Sequence, residues 1–95
     1  MEISENIETG KGLSIDQGAV IGYLSPRGGV SDRLVIGDNA RIRSGTVIYA
    51  GSRIGSGLET GHNVVISEEC EIGDDFSIWN NSVIDYGCRI GRGVK

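Results

Sequence analysis

A six-residue repeat runs along the chain from Leu34 to Lys95. Counting by six from Ile36 to Ile90, nine of the ten positions are isoleucine, and the exception is Thr60. A second column, two residues before the first, is mostly apolar or small. A third column, three residues after the first, is dominated by glycine and asparagine. These two residues adopt positive φ more readily than others, so this column is expected to turn the chain.

Each six-residue unit therefore predicts a short strand followed by a tight corner. Side chains alternate between the two faces of a strand, so the first two columns point to the same, inner side. A short fixed period of this kind is typical of a parallel β-helix. Glycine follows the isoleucine at positions 37, 55, 73 and 91, which is once in every third unit. Three units thus make one coil of a triangular prism, and the chain holds about four to five coils.

Residues 1–21 carry the same rhythm more faintly, with Ile3, Thr9, Ile15 and Ile21 spaced by six. We interpret them as an irregular first coil of the same single domain, which spans residues 1–95. The alternative is a frayed N-terminal tail.

Residues 22–33 break the register, because Ile21 and Ile36 are fifteen residues apart. This segment holds the only proline and a pair of glycines, so it predicts a protruding loop. If the loop binds anything, Tyr23 and Arg27 are its candidate contacts; the alternative is an insertion without a function.

The coils of residues 34–95 stay regular to the last residue, which suggests a chain truncated at its C-terminus, or an edge covered by another molecule.

Composition excludes several kinds of partner. The formal charge is −4 and both signs are mixed along the chain, so we expect no nucleic-acid or anionic-membrane surface. No apolar run approaches the ~18 residues of a spanning helix, and the N-terminus resembles no signal peptide. Short solenoids commonly need capping or association, so an oligomer is expected.

The repeats Ile36-Gly37-Asp38-Asn39-Ala40 and Ile72-Gly73-Asp74-Asp75-Phe76 resemble those of the hexapeptide-repeat acyltransferase superfamily. This resemblance implies an all-β, left-handed parallel β-helix, against the usual right-handed preference of parallel crossovers. It also implies a homotrimer and acetyl-CoA as cosubstrate. The repeat is specific for the fold and says little about the substrate.

His62, the only histidine, follows the one gap in the isoleucine column and is expected to point outward at a corner. A histidine side chain ordinarily titrates near neutral pH and can serve as a general base, although a lone exposed histidine is more often inert. The three-unit coil spacing aligns His62 with Ser44 and Asn80, and places Trp79 above Gly61.

The stretch Thr60-Gly61-His62-Asn63-Val64-Val65-Ile66 resembles the region around the catalytic histidine of the N-acetyltransferases that act on nucleotide sugars. In that group the histidine lies between two subunits and takes a proton from the amine that attacks acetyl-CoA. The resemblance therefore implies that His62 is catalytic. From their places beside it, we predict that Asn63, Trp79 and Asn80 bind substrate. Those enzymes are about twice as long, so this chain is expected to hold mainly the sugar side of the site.

Cys70 and Cys88 occupy the same inward column on consecutive coils, a geometry that suits free core thiols in a reducing, cytoplasmic compartment better than a disulfide. A single histidine and the absence of zinc-like cysteine spacing predict no metal. Glu68 and Glu69 are interpreted as solvated corner residues with a possible bulge at Glu69; a carboxylate pair that orients His62 or binds an amine is the alternative.

Two functions follow from these observations. The first is an acyltransferase that moves an acetyl group from acetyl-CoA to a nitrogen or oxygen of a sugar or nucleotide sugar, with this chain as either the enzyme itself or a fragment of a longer one. The second is a non-enzymatic, trimeric β-helical scaffold or interaction module. The surroundings of His62 favour the first, and the regular, uncapped C-terminal edge favours the second.

Overall fold

The computed structural model describes residues 6–94, which form thirteen short β-strands and no helix. The first coil consists of β1 (Ile7–Thr9), β2 (Ser14–Ile15) and β3 (Val20–Tyr23). The second consists of β4 (Leu34–Ile36), β5 (Arg41–Ile42) and β6 (Val47–Tyr49), and the third of β7 (Arg53–Ile54), β8 (Glu59–Thr60) and β9 (Val65–Ile66). The fourth consists of β10 (Glu71–Ile72), β11 (Ser77–Ile78) and β12 (Val83–Ile84), and β13 (Arg89–Ile90) starts a fifth. Ile3 and Lys95, which the repeat includes, lie outside the described residues.

The strands stack into three parallel sheets, one on each side of a prism. Sheet A has the order β1-β4-β7-β10-β13, sheet B the order β2-β5-β8-β11, and sheet C the order β3-β6-β9-β12. The predicted fold class, an all-β, left-handed parallel β-helix of hexapeptide repeats, is confirmed. Four complete coils and the start of a fifth agree with the predicted number.

The inner side of the prism is the core, and the two inward columns fill it. The isoleucines from position 36 to position 78 are all buried, and Ile84 and Ile90 at the last coils are half-buried. They stack directly on one another, as the pairing of Ile36 with Ile54 and of Ile54 with Ile72 shows. Each fully buried isoleucine stabilises the fold by roughly 1.5–3 kcal/mol. The core is therefore built on a stack of isoleucines along the prism axis, which Thr60 interrupts and the more varied second column completes.

All ten members of the third column have positive φ, as their position at the corners predicts. They are Asn39, Gly45, Gly51, Gly57, Asn63, Glu69, Asp75, Asn81, Gly87 and Gly93. Glu69 adopts this conformation, with a φ of 58°, and strands β9 and β10 on either side of it keep a regular register, so the bulge suggested there is absent. The corner geometry thus prevails over the low intrinsic preference of glutamate for this region.

The second glycine column, at positions 37, 55 and 73, has a different cause. A Cβ atom on Gly37 would lie 2.7 Å from the backbone nitrogen of Ser56, and one on Gly55 would lie 2.9 Å from that of Asp74. Real Cβ atoms do not approach backbone so closely. The recurrence of glycine once per coil therefore marks the corner between sheets A and B, where the backbone of the next coil leaves no room for a Cβ atom.

The first coil pairs with the second, and nine extra residues separate them. Ile7 aligns with Leu34, Ile15 with Ile42, and Ile21 with Ile48, so the offset within each pair exceeds the regular coil spacing by these nine residues. Strand β3 extends through Tyr23, past an irregularity between Ile21 and Tyr23, so the loop starts at residue 24 and not at residue 22 as predicted.

Cys70 is buried and Cys88 is half-buried, and both are free, as predicted. Burial raises the pKa of the Cys70 thiol, so this group stays protonated and acts as a core side chain.

Residues 6–94 include no cluster of three or more histidine, cysteine or carboxylate side chains with the geometry of a metal site. None of the secondary structure in the same residues offers the long apolar helix that a membrane crossing would require.

The close approach at the corner between sheets A and B leads to the first prediction. Gly55→Ala is expected to lower the free energy of unfolding by about 1–3 kcal/mol, because its methyl group would meet the backbone of the next coil. Gly91→Ala is the matched control, since a Cβ atom there has no atom within 4 Å. Urea unfolding followed by circular dichroism measures both. Equal stability of the two variants would contradict this explanation of the glycine column.

Candidate functional site

His62 lies at the corner between β8 and β9, in a column with Ser44 below it and Asn80 above it. Ser44 Oγ and His62 Nδ1 are 2.8 Å apart, a hydrogen-bond distance. The backbone nitrogen of His62 donates a hydrogen bond to Asn80 Oδ1 at 2.7 Å. The alignment predicted from the coil spacing is therefore confirmed, and His62 is exposed at the corner, as expected.

A groove of about 220 Å³ opens beside this corner. Trp79 forms one wall and is 69% exposed, while His62 and Asn80 lie at the corner side. Ile78 pairs with Thr60, so Trp79 stands above Gly61, which has no side chain to fill the space between them. The groove thus brings His62, Trp79 and Asn80 together, three of the four residues that the sequence analysis singled out.

Two charged groove residues, Arg43 and Glu59, were missed by the sequence analysis. Arg43 precedes Gly61 by one coil and Trp79 by two, so the coil spacing already placed it in this column. Neither side chain forms an ion pair with another residue of the described part of the chain. A free guanidinium at the edge of a groove suits a phosphate or carboxylate group, because its donors match two oxygens at once.

Asn63 lies at the same corner as His62 but outside the groove. It is a corner residue with a φ of 57°, its backbone nitrogen donates to the carbonyl of Ser44, and its side-chain oxygen lies against Gly45. It does not line the groove. Asn63 thus forms part of the turn of the chain, and its predicted part in substrate binding stays a prediction.

Thr60 and Thr46 form a buried polar pair directly beneath the corner. Thr60 is 2% exposed and its hydroxyl accepts a hydrogen bond from the backbone nitrogen of Arg43 at 3.2 Å. Thr46 Oγ1 donates to the carbonyl of Gly61 at 3.0 Å and accepts from the backbone nitrogen of Val64 at 3.3 Å. The gap in the isoleucine column is thus filled by hydroxyl groups that bind the backbone on both sides of His62.

The loop of residues 24–33 was expected to project from the prism, but it folds back along the corner between sheets C and A. The Arg27 guanidinium lies 4.0 Å from the centre of the Tyr86 ring, and its Nε lies 4.0 Å from Glu68 Oε2. The Tyr86 hydroxyl donates to Glu69 Oε2 at 2.8 Å. The other predicted contact, Tyr23, packs against the Tyr49 ring with centroids 5.1 Å apart. Arg27 therefore binds the body of the prism, and Tyr23 is itself part of that body, in β3.

Glu68 was expected to be solvated, but it is only 5% exposed because the loop covers it. A hydrogen bond from the Ser25 side chain, assisted by the charge of Arg27, lowers the pKa of the Glu68 carboxyl below its usual value of 4.5, against the opposing effect of burial. Glu68 lies at the corner after β9, whereas His62 lies at the corner before it. The Glu68 carboxylate thus interacts with Ser25 and Arg27 of the loop, and the alternative role of orienting His62 has no support in this geometry.

The architecture defines a parallel β-helix of hexapeptide repeats with a polar corner site. Consistent with this class, a family model described as bacterial transferase hexapeptide (six repeats) matches residues 33–68, a little over a third of the chain. The matched segment includes both Ser44 and His62. No curated protein matches the chain. The chain is therefore similar to the hexapeptide-repeat transferases over the second and third coils, and the match stops before Trp79 and Asn80.

The buried Glu68 carboxylate predicts a pH-dependent stability. Because folding lowers its pKa, the ionised group stabilises the folded state above about pH 4.5, and this contribution is lost as the pH falls through the folded-state pKa. Glu68→Gln is therefore expected to be less stable than the wild type at neutral pH, with a difference that shrinks below pH 4.5.

Urea unfolding at a series of pH values measures this difference. Glu71→Gln, which removes an exposed carboxylate on sheet A, controls for the loss of one charge. A stability difference between Glu68→Gln and the wild type that is the same at acidic and neutral pH would contradict the role given to this carboxylate.

Proposed function

We propose that this chain carries the acceptor side of an acyltransferase, which moves an acetyl group from acetyl-CoA to an amine or hydroxyl of a sugar or nucleotide sugar. One observation carries the proposal: His62 stands exposed at the edge of a groove, with Nδ1 held by Ser44 and no hydrogen-bond partner for Nε2 among the described residues. A nitrogen in this setting is available to a proton of the substrate. The similarity of residues 33–68 to hexapeptide-repeat transferases supports the same class of reaction.

In the proposed reaction, His62 acts as the general base. Its Nε2 accepts the proton of the acceptor amine or hydroxyl as that group attacks the thioester carbonyl of the cosubstrate. The new bond to nitrogen or oxygen forms, the bond to sulfur breaks, and the thiolate of coenzyme A leaves and takes up the proton from His62, which returns to its neutral form. A positioned base of this kind contributes typically ~10²–10⁴-fold to the rate.

The other groove residues bind and orient the acceptor. The Trp79 ring offers an apolar face on which a sugar or base can stack, and the Asn80 amide, whose oxygen already accepts from the His62 backbone, presents its amino group to the groove. Arg43 suits the phosphates of a nucleotide sugar. We keep His62, Trp79 and Asn80 as site residues and add Arg43.

The groove is too small to hold both substrates. Its volume of about 220 Å³ lies below the ~300–1,000 Å³ of most small-molecule sites, so it accommodates the reacting groups but not a whole coenzyme. We therefore propose that the site is completed by a neighbouring subunit of a homotrimer. Two free, stacked thiols are compatible with the cytoplasm as its location.

The outer face of sheet C supports the trimer. Val20, Val47, Val65 and Val83 are paired in register on consecutive coils and form one continuous apolar column. Val20 is 42% and Val83 is 63% exposed. Val65 of this column follows His62 by only three positions, so a second copy packed on this face would lie beside the groove.

The same column supports the second candidate function, a non-enzymatic trimeric scaffold. An apolar face of this kind is enough to assemble copies of the chain, whatever the role of His62. Activity measurements on His62 variants therefore decide between the two functions, and the oligomeric state alone does not.

His62→Asn is expected to lower acetyl transfer by about 10²–10⁴-fold, because it removes the base and leaves a polar side chain at an exposed corner. Asn81→Gly is the matched control, since Asn81 is a corner residue with positive φ that does not line the groove. The assay follows release of coenzyme A with a panel of amino sugars and nucleotide amino sugars. Transfer by His62→Asn at the wild-type rate would contradict the proposed function.

Val65→Glu is expected to convert the trimer into monomers, because it would bury three carboxylates in an apolar interface without partners. Val35→Glu introduces the same residue on the outer face of sheet A and should leave the trimer intact. Light scattering coupled to size-exclusion chromatography measures the mass of each. A wild-type chain that stays monomeric at tens of micromolar would refute the trimer.

A further inference from the structure

The two nitrogens of the His62 ring have different surroundings. Nδ1 lies 2.8 Å from Ser44 Oγ, while Nε2 has no partner among the described residues. Ser44 itself is half-buried and does not line the groove, whereas His62 does. The serine therefore touches the ring from the side away from the groove, and it can act on the chemistry only through the histidine.

The hydrogen-bond roles decide what the ring can do. A neutral imidazole carries its proton on one nitrogen only. If Ser44 donates to Nδ1, the proton is on Nε2 and this nitrogen cannot act as a base. If Nδ1–H donates to Ser44 Oγ, then Nε2 holds a free lone pair. When Nε2 takes up a proton, both nitrogens become donors, so the second arrangement is the only one that survives the reaction without rotation of the serine hydroxyl.

The backbone that carries Ser44 is placed by the gap in the isoleucine column. Strand β8 pairs with β11 at both Glu59 and Thr60, but it pairs with β5 only at Glu59. At this point the Thr60 hydroxyl, and not a backbone carbonyl, accepts from the nitrogen of Arg43, the residue before Ser44. The regular ladder is thus interrupted one residue before the serine and two residues before the histidine.

We propose that Ser44 is a positioning residue: it accepts a hydrogen bond from Nδ1–H of His62, selects the tautomer with a free Nε2, and directs that nitrogen to the groove. The proposal rests on the proposed function, because it assigns Ser44 a part in the same reaction. Ser44 lies on the coil before His62, so two consecutive coils of one chain form the pair.

The single histidine makes a direct test possible. In the full chain with ¹⁵N-labelled histidine, the ring nitrogen shifts of the neutral form report the tautomer without any substrate. We expect the Nδ1–H form in the wild type and a change to the Nε2–H form, the more common one for free imidazole, in Ser44→Ala. Ser44→Thr, which keeps the hydroxyl, should restore the wild-type spectrum. Identical tautomers in the wild type and Ser44→Ala would overturn the proposal.

The kinetic test uses the same variants. Ser44→Ala is expected to lower kcat by about 10–100-fold with little change in KM, because the serine orients the base and does not touch the substrate. Ser44→Thr should recover most of this loss. A wild-type kcat for Ser44→Ala overturns the positioning role even if His62→Asn is inactive. Activity that persists in His62→Asn refutes the proposed function instead, and the two failures are therefore distinguishable.

Discussion

The backbone ladder between coils is the constraint on which the rest of the structure depends. Each strand is very short and would not be stable alone, so it exists because the strands of the coils directly before and after it accept and donate its hydrogen bonds. Neighbouring parallel strands lie about 4.8 Å apart, and this spacing is shared by every column of the prism. The isoleucine column, positive φ at the corners and glycine at the corner between sheets A and B are all requirements of that one repeat distance.

The candidate site lies where this regularity is relaxed. Thr60 replaces an isoleucine and its hydroxyl takes over one backbone hydrogen bond between the coils, while the backbone bonds on either side of it are kept. Losing a buried isoleucine weakens the core by roughly 1.5–3 kcal/mol, and the hydrogen bonds of the threonine pair offset part of this. In exchange, the backbone of two coils can bring a serine and a histidine into contact. Departures from local rules often mark functional sites, and here the departure and the candidate base are two residues apart.

Much of this arrangement could be predicted from the sequence, because the repeat makes position along the chain equivalent to position in space. The spacing of three units per coil was enough to align Ser44, His62 and Asn80, to place Trp79 over Gly61, and to assign positive φ to the whole third column. The same coil spacing also places Arg43 one coil before Gly61, so the sequence could have identified it as a neighbour of the site. For residues inside the repeat, counting along the chain therefore predicts which residues lie above one another on successive coils.

The errors concern residues whose surroundings do not come from the repeat. Glu68 is buried by a loop that counting cannot place. Asn63 does not line the groove, because proximity to His62 in sequence does not say which way a corner side chain turns. The glutamate at position 69 took the corner conformation because the strands on both sides over-determine its backbone. The position of a residue in the repeat predicts its backbone conformation well. It predicts the contacts of an outward side chain only where the contacting residues also belong to the repeat.

The folded-back loop has a consequence for how the prism unfolds. In a simple solenoid each coil contacts only the next one, so the ends can fray one coil at a time. Here the segment between the first and second coils reaches Glu68 at the end of the third coil and Tyr86 at the end of the fourth, and it passes over the second. The segment that follows the first coil is thus tied to coils two and three places away. We therefore expect the prism to unfold more cooperatively than a row of independent coils would.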